Sequence, residues 1–143
     1  MIEIRSVVEI DRPPDQVFDM IADMSRNPEW QKGMRECVWT SDPPIGVGST
    51  YEQVAAFLGR RIVTSFEVTE FDRPHRIRIE SLVSTFPLDI TRIVEPSGGG
   101  SRVEAIVKGE PGGLARVVSP LMTMMVKRSV TADYASLKDL LET

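Results

Sequence analysis

Cysteine and histidine are almost missing from this sequence: Cys37 and His75 are the single residues of their types among 143. One cysteine cannot form a disulfide within the chain, and the two residues together cannot supply the four ligands of a structural zinc site. His75 follows Pro74 in a predicted turn, so Ser-His-Asp and Cys-His arrangements lack a placed base. We therefore expect no metal and no cofactor, and an inert thiol at Cys37, which has no cation beside it in sequence.

Long apolar runs and an excess of positive charge are also lacking. No stretch reaches the roughly 18 consecutive apolar residues of a membrane span, and the N-terminus has no basic region followed by an apolar run. The chain has 17 lysines and arginines against 21 aspartates and glutamates, a net charge of -4. These features predict a cytoplasmic protein without stable membrane insertion and without a nucleic-acid partner.

What is present is the balance of a globular protein, with 41% hydrophobic and 27% charged residues. At this length we expect one domain over residues 1–143. Alternation in IEIRSVVEI predicts a first strand, and the proline-led segment DRPPDQVFDMIAD predicts a short helix. The segment MSRNPEWQKGM, interrupted by Pro28 and Gly33, predicts a second short helix or helical turn that carries Trp30.

Six further strands are predicted between Arg35 and Glu110, with breaks short enough for the hairpins of an antiparallel meander. Their segments are RECVWTS, STYEQVAAF, RRIVTSFEVTEF, HRIRIESLV, FPLDITRIV and SRVEAIVKGE. After PGG a helical period holds nearly to Thr143, and Pro120 should kink this helix or start it anew. Because a long amphipathic helix must cover its apolar face, we expect it to lie against a curved antiparallel sheet, an α+β architecture.

Four segments in this order carry a likeness to a known family: VEIDRPPDQVFDMIADMSRNPEW, GVGSTYEQ, FEVTEFDRPHRIRIES and SPLMTMMVKRSVTADYASLKDLLE. Together they resemble the START-like SRPBCC superfamily, in its polyketide cyclase/dehydrase and lipid transport branch, over essentially the whole chain. The resemblance implies a helix-grip fold, in which a curved seven-stranded antiparallel sheet wraps a long C-terminal helix and two short helices follow strand 1. It also implies a cavity between sheet and helix.

The predicted site includes an arginine on the inner face of a strand. In FPLDITRIV the apolar residues occupy even positions, which places Arg92 on the same face as Val94. An inward arginine could hold a carboxylate, phenolate or carbonyl of a ligand. Alternatively, Arg92 reaches solvent or pairs with a nearby acid, as arginines commonly do.

Other candidates come from the neighbouring elements. Tyr51 and Gln53 share a strand face that suits a partly polar pocket, although Gln53 could serve only a neighbouring strand. Trp30 could cap a ligand or simply pack the short helices down. Ser129 belongs to the first of two apolar stripes along the predicted C-terminal helix, the one expected to face inwards. The members of this first stripe are Leu114, Val117, Val118, Leu121, Met122, Met125, Ser129, Ala132 and Ser136, and the second stripe consists of Val126, Val130, Leu137, Leu140 and Leu141. The small side chains of Ser129, Ala132 and Ser136 leave a space bordered by methionines, although plain core packing is equally open. The complete predicted set is Trp30, Tyr51, Gln53, Phe66, Phe86, Arg92, Leu121, Met122, Met125 and Ser129.

These features favour a protein that binds a small hydrophobic molecule, such as a lipid or polyketide, as a monomer or homodimer. A cyclase or dehydratase with Arg92, Tyr51 and Gln53 in its cavity is the second possibility, without a carboxylate that the pattern places inwards. A protein-interaction module is the third, since the pair Lys127 and Arg128 is too small to be a basic patch.

Overall fold

The computed structural model describes residues 2–57, 59–82, 87–109 and 120–143, apart from the side chain of residue 57. Seven strands and two α-helices form the described architecture. In chain order these are β1 (Ile2–Ile10), α1 (Pro14–Ala22), a short 3-10 helix (Met24–Glu29), β2 (Met34–Trp39), β3 (Thr50–Phe57), β4 (Arg60–Asp72), β5 (Arg76–Ser81), β6 (Leu88–Ser97), β7 (Gly100–Gly109) and α2 (Pro120–Glu142).

The strands form one antiparallel sheet in the order β1-β7-β6-β5-β4-β3-β2. Every pair except β1 with β7 joins strands that are consecutive in sequence, as the predicted meander requires. The β6–β7 hairpin turns at Gly98 and Gly99, whose φ values of 53° and 88° lie where glycine has no Cβ to clash. The predicted α+β architecture, a helix-grip sheet with a long C-terminal helix, is confirmed.

The core lies between the inner face of the sheet and the helices. Helix α1 contributes the fully buried Val17, Phe18 and Ile21, whose spacing puts them on one face. They pack with alternate residues of the central strands, and the ring of Phe18 meets Phe71 edge-on at 5.6 Å. The buried apolar strand residues of this core include Phe66, Val68, Ile77, Ile79, Val94, Val103 and Ala105.

Helix α2 is attached to β1 near its own C-terminus. Lys138 donates from Nζ to the carbonyl of Glu9 over 2.7 Å, and Glu142 accepts the backbone N–H of Asp11 over 2.8 Å. Tyr134 and Leu137 are the buried residues of the helix. The described helix begins at Pro120, and the residues expected to precede the break, 114–119, lie outside the described residues.

The face that α2 turns inwards differs from the predicted one. Ser129, Ala132 and Ser136 were expected to face the sheet, but all three are exposed, and so are Leu121 and Met125. At 100° per residue, the half-buried Val126, Val130 and Leu141 share a face with the buried Leu137. The inward stripe is therefore the second apolar stripe of the sequence, and the predicted packing of the first was wrong.

Within the described residues no helix combines the length and the apolar character needed to cross a bilayer.

Candidate functional site

Arg92 lies in the middle of β6 with its side chain in the protein interior and only 2% of its surface exposed. Its Nε donates to the hydroxyl of Tyr134 over 3.0 Å, and its Nη1 donates to the carbonyl of Ile21 over 2.8 Å. Longer contacts join Nη1 to Asn27 Oδ1 at 3.4 Å and to Met24 Sδ at 3.5 Å. Arg92 thus faces inwards, as strand parity predicts, and reaches neither solvent nor, among the described residues, a carboxylate partner.

Trp30 covers the guanidinium of Arg92. The arginine Cζ lies 4.9 Å from the centre of the indole ring, within the range of a cation–π interaction. The same ring packs against Tyr134 at 5.0 Å between centroids. Trp30 ends the 3-10 helix, where its backbone N–H donates to the carbonyl of Asn27 over 3.1 Å. The 3-10 helix, which contains Pro28, therefore places the indole ring of Trp30 over the guanidinium group of Arg92.

Tyr51 approaches the same region from β3. Its ring stacks on Phe66 at 5.2 Å and 15°, and Trp39 meets it edge-on at 5.4 Å. The side chain is 1% exposed, and its hydroxyl finds no hydrogen-bond partner among the described residues. Burial raises the pKa of Tyr51 well above its usual value, although the positive charge of Arg92 acts against this. The phenol is therefore neutral and can donate a hydrogen bond.

We call Arg92, Trp30, Tyr51, Asn27 and Tyr134 the Arg92 cluster. Two donors in it have no acceptor within the described part of the chain: the Tyr51 hydroxyl and the Trp30 indole N–H. Buried donors without acceptors cost free energy and are uncommon in native interiors. The cluster therefore has the donors to receive an oxygen atom, either neutral or anionic.

Asp133 is a carboxylate of this region that sequence patterns did not place. It is half-buried on α2 and accepts the backbone N–H of Lys32 over 3.1 Å. Burial raises the pKa of Asp133, while the Lys32 hydrogen bond and the charge of Arg92 act in the opposite direction. Asp133 and Tyr134 lie on the second apolar stripe of α2. The spacing of Val126, Val130 and Leu137 could therefore have predicted that both side chains face the interior.

Cys37 lies on β2 at the edge of the cluster, 7% exposed. Burial raises its pKa to about 11, while a contact of Asn27 Nδ2 with Sγ at 4.0 Å and the charge of Arg92 act against this. The predicted inertness of this thiol agrees with its burial and its raised pKa.

Four of the predicted site residues, Trp30, Tyr51, Phe66 and Arg92, have buried side chains that belong to or touch the Arg92 cluster. Gln53 is half-buried on β3, two residues beyond Tyr51, and Phe86 lies outside the described residues. The helix residues stand apart from the cluster. Leu121, Met122 and Met125 are 65%, 40% and 41% exposed on the first half of α2, and Ser129 is exposed as well, so their contact with a ligand stays a prediction.

Comparison with known proteins gives a family and a fold. A family model described as polyketide cyclase/dehydrase and lipid transport matches residues 1–142. No curated protein sequence matches the chain.

Solved structures similar to this chain include TTHA0849 from Thermus thermophilus, with a TM-score of 0.84, 20% identity and coverage of 98% of this chain and 97% of that one. A START superfamily protein from Mycobacterium smegmatis has a TM-score of 0.85 at 14% identity, with 99% and 98% covered. The di-domain ARO/CYC protein BexL of the BE-7585A biosynthetic pathway has a TM-score of 0.72 at 20% identity, with 99% of this chain and 47% of BexL covered. At these identities the likeness concerns the fold alone.

Proposed function

We propose that this chain, which belongs to the polyketide cyclase/dehydrase and lipid transport family, binds a small hydrophobic molecule between the sheet and α2, with an oxygen atom of that molecule at the Arg92 cluster. The ligand class is a lipid or polyketide that carries a carbonyl, carboxylate or phenolate oxygen.

The observation that carries this proposal is the set of buried donors without acceptors. The Tyr51 hydroxyl and the Trp30 indole N–H both lie in an interior from which water is largely removed. Such groups need an acceptor, because an unpaired buried donor costs roughly 1 to 3 kcal/mol. A ligand oxygen would supply the acceptor, and the charge of Arg92 would strengthen the hydrogen bonds that it receives.

The surroundings of the cluster favour a ligand that is otherwise apolar. Phe66, Met24 and Trp30 are buried side chains next to the donors, so a ligand that extends from the cluster meets rings and thioether rather than charge. Apolar contact supplies affinity at roughly 25 cal/mol per Å² buried, and the few polar groups fix the orientation.

Two fluorescent probes with the same fused-ring skeleton test the proposal. Anilinonaphthalene sulfonate carries an anionic group, and phenylnaphthylamine lacks it. Replacement of Arg92 by methionine should weaken sulfonate binding roughly tenfold to a hundredfold, because a charge-assisted hydrogen bond contributes about 1.5 to 3 kcal/mol. Binding of phenylnaphthylamine should change little.

Arg102→Met is the matched control, since Arg102 is exposed on β7 and lies outside the cluster. If Arg92→Met weakens the binding of both probes equally, or of neither, Arg92 does not contact the ligand. Native mass spectrometry of protein purified from its own host would then identify the bound molecule by its mass.

A cyclase or dehydratase that acts on a polyketide-like substrate is a second candidate, favoured by the environment of Asp133. Its carboxyl has a pKa raised by burial, and the charge of Arg92 acts on it. A carboxyl of this kind suits general acid–base catalysis, and Arg92 would stabilise a developing enolate oxygen. If the protein is such an enzyme, Asp133→Asn should lower turnover of a poly-β-ketone much more than binding of it. Binding without turnover in the parent protein would favour the carrier.

A further inference from the structure

The fold brings cations that are far apart in sequence to one end of the sheet. The register pairs Ile2 with Gly109, Gly109 with Leu88, and Phe66 with Ser81, so β4 extends past the end of β5 by the residues that precede Phe66. Arg60 and Arg61 open β4 and, together with the end of β3 to which they pair, project beyond β1, β5, β6 and β7 at this end. Both side chains are exposed.

Helix α2 begins at the same end. Its C-terminal part lies beside the last residues of β1, through the contacts of Lys138 with Glu9 and of Glu142 with Asp11. From Lys138 back to Leu121 the helix extends about 25 Å, and from Glu9 back to Ile2 the strand extends about 23 Å. The first turns of α2 therefore reach the level at which β1 begins. Near β3, Asp133 of α2 accepts the backbone N–H of Lys32, and the adjacent Gly33 accepts from Ala56, the residue that pairs with Arg61.

This end of the molecule, which we call the cationic end, exposes apolar side chains beside the cations. Ile62 and Val63 of β4 are 43% and 51% exposed, directly after Arg60 and Arg61. On α2, Leu121, Met124 and Met125 are 65%, 51% and 41% exposed and, with Arg128, occupy one face at three- and four-residue spacing. Lys127 is also exposed on this part of the helix.

The charge of the cationic end contrasts with the net charge of -4 of the whole chain. Among the described residues, Arg60, Arg61, Lys127 and Arg128 form no ion pair, whereas several other arginines of the sheet do. Arg60 and Arg61 line a surface groove of about 430 Å³ together with Arg35 and a single acid, Glu36. Cations therefore outnumber acids in this groove, on a protein that is negative overall.

We propose that the cationic end docks the protein on an anionic lipid bilayer surface. Exposed apolar side chains that alternate with lysine and arginine are the pattern of peripheral membrane binding, in which the apolar groups enter the acyl boundary and the cations meet lipid phosphates. A second copy of the chain is the weaker occupant, because its matching surface would bring like charges together. This docking goes beyond ligand binding in the interior and stands without it.

Vesicle co-sedimentation tests the docking. The full chain should bind phosphatidylglycerol vesicles and not pure phosphatidylcholine vesicles, and added salt should release it. The double variant Arg60→Gln with Arg61→Gln should bind phosphatidylglycerol vesicles roughly twentyfivefold less, about fivefold for each cation removed. Lys127→Gln with Arg128→Gln should have a similar effect from the helix side. Leu121→Asn with Met124→Gln should lower binding without a change in its salt dependence.

Arg102→Gln, which removes one positive charge at the opposite end of the sheet, should bind like the parent protein and not about fivefold less, as loss of one cation at the cationic end would. Failure of the parent protein to bind phosphatidylglycerol vesicles, or an equal effect of Arg102→Gln and of Arg60→Gln with Arg61→Gln, would overturn the proposal. A dimer would also overturn it: sedimentation velocity would then show a concentration-dependent dimer of the parent protein, and Leu121→Asn with Met124→Gln would abolish this dimer without a change in vesicle binding. None of these measurements depends on the Arg92 cluster.

Discussion

Arg92 and Tyr134 join the sheet to the C-terminal helix through one buried hydrogen bond, from Nε of the arginine to the phenolic oxygen at 3.0 Å. The ring of Tyr134 also packs against Trp30, which lies over the guanidinium. The position of the charge therefore depends on three elements at once: β6, α2 and the end of the 3-10 helix. A substitution in any of these elements should therefore alter the position of the Arg92 side chain.

Tyr134→Phe should destabilise the protein, because it removes the acceptor of the Arg92 Nε proton and keeps the ring. Loss of a hydrogen bond to a charged group costs about 1.5 to 3 kcal/mol. The free energy of unfolding, from urea titrations followed by circular dichroism, measures the change. In a double-mutant cycle with Arg92→Met, the two effects should fall short of additivity by at least about 0.5 kcal/mol. Additive effects would mean that the two side chains do not interact in solution.

The inward direction of Arg92 could be predicted because strand parity is a strong constraint: one buried face fixes every second side chain. Its partners could not. The sequence of β6 is equally compatible with an arginine side chain that reaches solvent. The groups that hold it in the interior lie far away in sequence: Tyr134 is 42 residues from Arg92, and Ile21, whose carbonyl accepts from it, is 71 residues away. These groups replace the hydration of the guanidinium, which no local pattern of β6 indicates.

The face of α2 illustrates the opposite case. Two apolar stripes run along this helix, and the spacing of the apolar residues alone allows either stripe to face the core. The stripe that packs includes Asp133 and Tyr134, polar residues that look like interruptions until Lys32 and Arg92 are found opposite them. Periodicity identified the helix, but the choice of face depended on tertiary partners.

The thiol of Cys37 should react slowly in the folded protein. Its pKa of about 11, against an ordinary 9.0, lowers the thiolate fraction near neutral pH roughly a hundredfold, and burial limits access further. Release of the aromatic thiolate from Ellman's reagent at pH 8 measures the rate, with the urea-unfolded chain as the reference. Equal rates in the folded and unfolded states would contradict the buried position of this side chain.

Asp133→Asn should stabilise the protein at neutral pH and lose this advantage in acid. Burial raises the pKa of Asp133 in the folded state above its ordinary 3.8, so the folded protein binds this proton more tightly than the unfolded chain does. The contribution of the carboxyl to stability is thus fully present below about pH 3.8 and is lost as the pH rises through the folded-state pKa.

Asparagine keeps an acceptor for the Lys32 N–H but carries no charge to desolvate. The difference in unfolding free energy between Asp133→Asn and the parent protein, measured from pH 3 to pH 8, should therefore increase with pH. Asp19→Asn, at an exposed carboxyl whose pKa is lowered by Arg73, is the control with the opposite expected slope. A difference for Asp133→Asn that is constant over this range would show that its carboxyl titrates alike in both states.

Tyr51→Phe and Tyr134→Phe each remove a hydroxyl from a buried tyrosine, but only Tyr134→Phe should lower the stability of the protein. The Tyr51 hydroxyl has no partner among the described residues, so its removal relieves an unpaired buried group, and the free energy of unfolding without ligand should stay equal or rise by up to about 1 kcal/mol. Binding of anilinonaphthalene sulfonate should nevertheless weaken roughly threefold to tenfold, because one donor to the ligand oxygen is lost. A loss of stability as large as that of Tyr134→Phe would show that the Tyr51 hydroxyl is already paired in the free protein, in which case the ligand oxygen would be held by Arg92 and Trp30 alone.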